Sequence, residues 1–371
     1  MLDSPSRIPV REIPTFGLMH WAKHRSEAAK YSLGASGVSS PGPEEFTPKE
    51  PAAPFTSAGD EYGAPALRRA LAGVHGVAED HVLLSVGTSL ANFNAILALA
   101  GPGERVLVEA PTYPSLADIP RVLGLTTDRL ARRPEEGWAP RLEDVESAAR
   151  APGPPLGLVV LTRLHNPSGR NLPTGFLEKL ASLADRHDFR VMVDEVYLDF
   201  LPDATPAHRV SPRFVSTGSL TKAWGFGGLR IGWIVGDPSL LSRAREASYY
   251  LAVNDAAWSQ DVAAQALAAR ERLLGRSRRI AADGLAIFRE WIDRRDDLEW
   301  SPPDGGLVAF VRAKRIADTA SFAQRLQRER DVAIAEGELF GMPGWFRVCW
   351  GAPEDSVREA LRRLGEALDE A

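Results

Sequence analysis

Short apolar runs alternate with amphipathic stretches along most of the chain, and the alternation predicts its elements. The first sixty residues are rich in Pro, Ser and Gly and lack a long periodic pattern, so they read as an irregular arm with one short helix near Met19–Lys30. Helical spacing then covers Ala66–Ala72, Leu90–Ala100, Ser115–Leu123, Leu142–Arg150 and Gly175–His187. Apolar runs of strand length fall between or after them at Val82–Val86, Val106–Glu109, Leu158–Thr162, Arg190–Val196, Phe214–Gly218 and Ile231–Val235. Strands alternating with helices imply β-α units and a mainly parallel sheet. From Ala256 to about Arg295 the pattern is helical and forms a bridge out of that sheet. Strands near Gly306–Val311 and Trp345–Trp350 and a closing helix, Glu354–Leu368, read as a smaller α+β region. The expected division is an N-terminal arm over 1–50 that joins the small domain, a large domain over 51–270 and a small C-terminal domain over 271–371.

Composition narrows the possibilities. With 44% hydrophobic and 25% charged residues over 371, the chain is of ordinary globular type. Its net charge of −5 offers no basic surplus for a phosphate backbone, which speaks against nucleic acid as a partner. One cysteine, Cys349, excludes an internal disulfide and a thiolate zinc site, so no metal is expected. No apolar run is long enough to span a bilayer, and the N-terminal stretch lacks the pattern of a signal peptide. A cytoplasmic protein with no membrane partner is expected. Only six lysines occur (Lys23, Lys30, Lys49, Lys179, Lys222 and Lys314), so a lysine in a chemically unusual position stands out.

In open α/β sheets, ligands sit beyond the carboxyl ends of the strands. The polar residues that end the predicted strands are Gly87-Thr88-Ser89, Tyr113, Asn166, Asp194 with Tyr197, and Ser219 with Lys222. A lysine, an acid, phenols, an amide and several hydroxyls form the set that pyridoxal phosphate needs. The lysine forms its Schiff base, and the carboxylate keeps its ring nitrogen protonated. Hydroxyls at a helix N-terminus, with an arginine, suit its phosphate.

At these positions the chain resembles the class I/II aminotransferases of the fold-type I pyridoxal-phosphate enzymes, the aspartate aminotransferase superfamily. Ser219-Leu220-Thr221-Lys222 with Arg230 is similar to the family's lysine motif. Asn166-Pro167-Ser168-Gly169, Asp194-Glu195-Val196-Tyr197 and Gly87-Thr88-Ser89 are similar to its other motifs, in the family's chain order. Arg347, in Phe346-Arg347-Val348, fits its C-terminal arginine. The resemblance implies an α/β fold with a mainly parallel seven-stranded sheet flanked by helices, and a smaller α+β C-terminal domain. It also implies an aminotransferase that moves an amino group from an amino acid to a 2-oxo acid through a Schiff base on Lys222.

Residue roles follow from the same resemblance. Asn166 and Tyr197 bond the cofactor's phenolic oxygen, Asp194 its ring nitrogen, and Tyr113 stacks on the ring. Gly87, Thr88, Ser89, Ser219 and Arg230 hold the phosphate. Lys222, Asp194 and Tyr197 form the catalytic set, and Arg347, Asn166 and Gly37 bind substrate. Arg347 takes the α-carboxylate in a bidentate grip that lysine does not match. A homodimer with sites at the interface is implied. Where the family has a partner tyrosine on the phosphate, this chain has Ala58, with Tyr62 nearby as a substitute. Leu33-Gly34-Ala35-Ser36-Gly37 resembles the segment that closes over substrate. A lyase, oxidase or cyclase of the same fold is the alternative activity. A cofactor-binding transcription regulator is disfavoured, because the family-like region begins near residue 30.

Other residues read as structural. His165, beside Asn166, is expected to be a hydrogen-bonded structural residue rather than a catalytic acid or base. Trp224 and Trp345 are expected to pack near the site. Ser219-x-x-Lys222 also has the form of a serine acyl-enzyme motif, but its companion K-T-G element is missing.

Overall fold

The structure, a computed structural model, describes residues 13–26, 28–50 and 63–371. The strands in chain order are β1 (Tyr31–Ser32), β2 (Val82–Ser85), β3 (Arg105–Ala110), β4 (Thr126–Ala131), β5 (Leu156–Thr162), β6 (Arg190–Asp194), β7 (Phe214–Ser219), β8 (Gly232–Val235), β9 (Leu298–Trp300), β10 (Val308–Ala313), β11 (Val332–Ala333), β12 (Ala335–Glu336) and β13 (Trp345–Cys349). Seven of them form one sheet in the order β2-β8-β7-β6-β5-β3-β4. Its pairings are parallel except where β8 meets β2 and β7.

Burial on both faces explains why the central strands are uninterrupted apolar runs. All seven residues of β5 are buried. Leu158 and Val160 pack with the helix Gly87–Leu99 on one face, and Val159 and Leu161 with the helix Phe176–His187 on the other. A side-chain period of two divides a single run between two cores.

The long helix Arg270–Ile292 leads towards a second, antiparallel sheet of order β12-β13-β10-β9. β1 of the N-terminal arm pairs in parallel with β11 beside it. Among the described residues, no helix is long and apolar enough to cross a membrane.

Several elements depart from the sequence pattern. β4 is the sheet's edge, and its sequence TTDRLA is mostly half-buried or exposed, so no apolar run marks it. The helices Pro238–Ala252 and Thr319–Arg330 are so polar that few of their residues are buried. The predicted bridge is two helices, Ala257–Ala268 and Arg270–Ile292, that meet at Ala269. The short N-terminal helix is confined to Gly17–Trp21 and passes into a π-helical turn, Ala22–Ser26.

Candidate active site

Most of the predicted site residues lie at the carboxyl ends of the parallel strands and in the loops that follow. A cavity of about 570 Å³ opens there, lined by Thr88, Ser89, Tyr113, Asn166, Asp194, Tyr197, Ser219, Lys222 and Arg230 among others. Thus nine predicted residues from separate parts of the chain share one wall. Arg347 stands instead on antiparallel β13, Gly37 lies in the N-terminal arm, and neither of these nor Gly87 lines the cavity.

Asp194 ends β6 at the floor of the cavity and is buried. Its Oδ2 accepts from Asn92 Nδ2 at 2.7 Å and its Oδ1 from the Val196 amide at 3.1 Å. Asn92 Oδ1 in turn accepts from Thr217 Oγ1 at 2.6 Å. Burial outweighs these donors and pushes the carboxyl up to about 6. Sequence reasoning missed Asn92 and Thr217. Only the fold brings Asn92, in the second turn of the helix opened by Gly87, under the end of β6.

Lys222 follows β7 and is half-buried. Its Nζ donates to Ser36 Oγ at 2.7 Å, and Tyr197 donates its hydroxyl to the Ser36 carbonyl at 2.7 Å. Desolvation, with the nearby Arg347 charge, draws the amine down to about 8. Burial holds the Tyr197 phenol well above its ordinary range. The register of the closing segment is thereby set: Ser36 touches the lysine side chain. Gly37 lies on the lysine's backbone, and the following Val38 amide donates to the Lys222 carbonyl at 3.0 Å.

Gly87, Thr88 and Ser89 open the helix Gly87–Leu99. Gly87 has φ +75°, and a Cβ there would fall 2.3 Å from Arg230 Nη2, so only glycine leaves the guanidinium in place. Arg230 Nη1 donates to the Gly227 carbonyl at 3.2 Å. The Thr88 hydroxyl is buried with no partner. Ser219 Oγ accepts from the Thr221 amide at 3.2 Å, which leaves its own proton free.

Arg347, on β13, is 2% exposed and lies behind Asn166. Its Nη1 donates to Asn166 Oδ1 at 2.8 Å and its Nη2 to the Gly34 carbonyl at 2.9 Å, while Nε has no partner. Tyr113 is half-buried, with Phe16 edge-on at 5.7 Å.

Structural roles are equally plain. His165 joins Ser168 Oγ at 2.6 Å and the Pro111 carbonyl at 2.8 Å, and burial holds it well below its ordinary range, hence neutral. Trp224 donates to Asp199 Oδ2 at 2.8 Å and Trp345 packs against Trp138, and neither lines the cavity. The Cys349 thiol is buried and raised. Tyr62 and Ala58 lie outside the described residues.

A sequence profile of the family described as aminotransferase class I and II matches residues 49–364. The chain belongs to this family. This aminotransferase is 28% identical to the capreomycidine synthase of Streptomyces vinaceus over 96% of its own length and 94% of that protein's. It is 30% identical to the aspartate/prephenate aminotransferase of Thermus thermophilus, over 83% and 82% of the two chains. A solved PLP-dependent aminotransferase from Streptococcus suis superposes with a TM-score of 0.89 at 25% identity, covering 97% of this chain and 98% of that one. The seven-stranded α/β architecture is therefore that of a fold-type I aminotransferase. Enzymes of this family use pyridoxal phosphate with amino acid and 2-oxo acid substrates.

Proposed function

We propose that this aminotransferase holds pyridoxal 5'-phosphate on Lys222 and exchanges an amino group between an amino acid and a 2-oxo acid at the cavity below Ser36. One observation carries the reading: Lys222, Asp194, Thr88, Ser89 and Arg230 surround a single cavity. The residues suit the cofactor chemically. A buried carboxylate without a cation is costly, and a protonated ring nitrogen is the cation that Asp194 lacks. The unpartnered Thr88 hydroxyl and Arg230, set at a helix N-terminus, suit a phosphate. When bound, pyridoxal phosphate supplies an aldehyde that captures amines and a ring that accepts the electron pair left as the α-proton departs.

The chain's own residues do the rest. Lys222, with its amine drawn down to about 8, has enough neutral form near neutral pH to take the α-proton and return it. Tyr197, held protonated, donates a hydrogen bond from the cavity wall. Asn166 accepts from Arg347 through Oδ1 and keeps its amide protons for the cofactor oxygen. Arg347, with Nε free, receives the substrate α-carboxylate.

A homodimer is part of the proposal. Tyr250 is 90% exposed and Val253 73%, close in sequence to exposed Tyr249, Leu251 and Trp258, an apolar grouping suited to burial against a second copy. Its test is the mass of the particle in solution.

The activity is tested by incubating holoenzyme with one amino acid and no acceptor. The expected result is a change in cofactor absorbance with one equivalent of 2-oxo acid released, reversed by adding a second 2-oxo acid. Continuous release of ammonia or of a cyclised product without an acceptor would instead favour the lyase or cyclase activity. In Lys222→Ala, borohydride treatment is expected to leave no covalent cofactor adduct by mass spectrometry.

A further inference from the structure

The cavity wall contains one cation that the proposed chemistry leaves unused. Lys23 lines it from the N-terminal π-helical turn, together with Met19. The other cations at the site are engaged: Lys222 bonds Ser36, Arg230 bonds the Gly227 carbonyl, and Arg347 bonds Asn166. Among the described residues, Lys23 has no hydrogen-bond or ion-pair partner. Its segment is held in place on both sides. Arg25 Nη1 meets Glu336 Oε1 at 2.7 Å, and Trp21 lies so close under Gly34 that a Cβ there would fall 2.1 Å from its ring.

The balance of charge gives this lysine a use. Asp194 is the only acid among the described cavity-lining residues, and the cofactor's ring nitrogen takes it up. A substrate side chain entering the cavity therefore meets an ammonium and no free carboxylate. A guanidinium or ammonium side chain is repelled there, and an anionic one gains a charge-assisted hydrogen bond. We infer that Lys23 is a specificity-determining residue that binds the distal carboxylate of an acidic amino acid or dicarboxylic 2-oxo acid. This inference rests on the proposed function and names the substrate class of the same site.

The test compares wild-type holoenzyme with Lys23→Met and Lys23→Arg. The measured quantity is the ratio of kcat/KM for glutamate to that for alanine. Lys23→Met is expected to lower the ratio about tenfold, and Lys23→Arg to restore most of it, as one charged hydrogen bond would dictate. Binding of succinate, an unreactive dicarboxylate, by calorimetry is expected to weaken by a similar factor in Lys23→Met. An unchanged ratio, succinate binding equal in wild type and Lys23→Met, or a wild-type preference for arginine over glutamate would overturn the inference. Failure of the general reading looks different: no amino acid, acidic or neutral, would change the cofactor absorbance in the wild type.

Discussion

Arg347 and Asn166 are joined by a 2.8 Å hydrogen bond between the four-stranded and the seven-stranded sheets. The guanidinium proposed to receive the substrate carboxylate is thus oriented by an amide that lines the cavity. Two carbonyls of the closing segment, Gly34 at 2.9 Å and Ala35 at 3.4 Å, face its Nη2 from the other side. A planar fork meets all of these partners and leaves Nε buried and unpaired, whereas an ammonium is a single point charge. Arg347→Lys is expected to lower kcat/KM about 100-fold for every amino acid substrate, with cofactor binding retained. Steady-state kinetics with cofactor absorbance as the control checks this.

Asp194 opposes the stability of the cofactor-free protein. Its carboxyl rises from 3.8 to about 6 on folding. The folded state therefore binds that proton more tightly than the unfolded one. Stability is full below pH 3.8, falls as pH rises through about 6, and carries a constant deficit of about 3 kcal/mol above it. Asp194→Asn removes the deficit, so the apo variant is expected to unfold at a higher temperature than apo wild type at pH 7.5 and at the same temperature at pH 3.5. Activity is expected to fall by about 1000-fold, because the proposed partner of the ring nitrogen is lost. Calorimetry across pH, with kinetics on the holoenzymes, separates the two effects.

If Lys222 captures the cofactor as proposed, its amine sets the pH dependence of that step. Only the neutral amine attacks an aldehyde, and its midpoint is drawn down to about 8. The rate of absorbance change on mixing apoprotein with pyridoxal phosphate is expected to rise with pH and level off above about 8, declining about tenfold per unit below it. A midpoint near 10.5 would mean that the amine is not desolvated.

Gly87→Ala tests the phosphate turn. The new Cβ must displace Arg230 from 2.3 Å, at a backbone φ of +75° that alanine adopts only with strain. The dissociation constant of the cofactor is expected to rise about tenfold or more, with a loss of about 1 kcal/mol in apoprotein stability. Equilibrium dialysis and denaturant unfolding measure these separately.

Much of the site was legible because its residues are tied to strand ends. Asp194, Ser219 and Asn166 lie at or just after apolar runs that already read as strands, and Lys222 stands out because lysine is rare in this chain. The supporting residues were not legible. Asn92 lies within a helix, four residues after Thr88, and nothing local distinguishes it from a polar residue facing water. Ser36, within the segment that resembles the closing one, and Lys23 belong to an arm without periodicity, whose register depends on β1 pairing with β11 some 300 residues later in the chain. The edge strand β4 and the polar helix Thr319–Arg330 escaped for a related reason, since elements with one wet face leave a weak hydrophobic signal.

By itself, the order of apolar runs determined the parallel α/β sheet, because burial on both faces demands continuous hydrophobic strands, and strand-end chemistry pointed to the cofactor type that the family uses. Tertiary structure alone decided which side chains orient Asp194 and Arg347, how Ser36 reaches Lys222, and that Lys23 faces the cavity. Those contacts join segments distant in sequence, and their energies depend on burial and direction, which no local pattern of residues encodes.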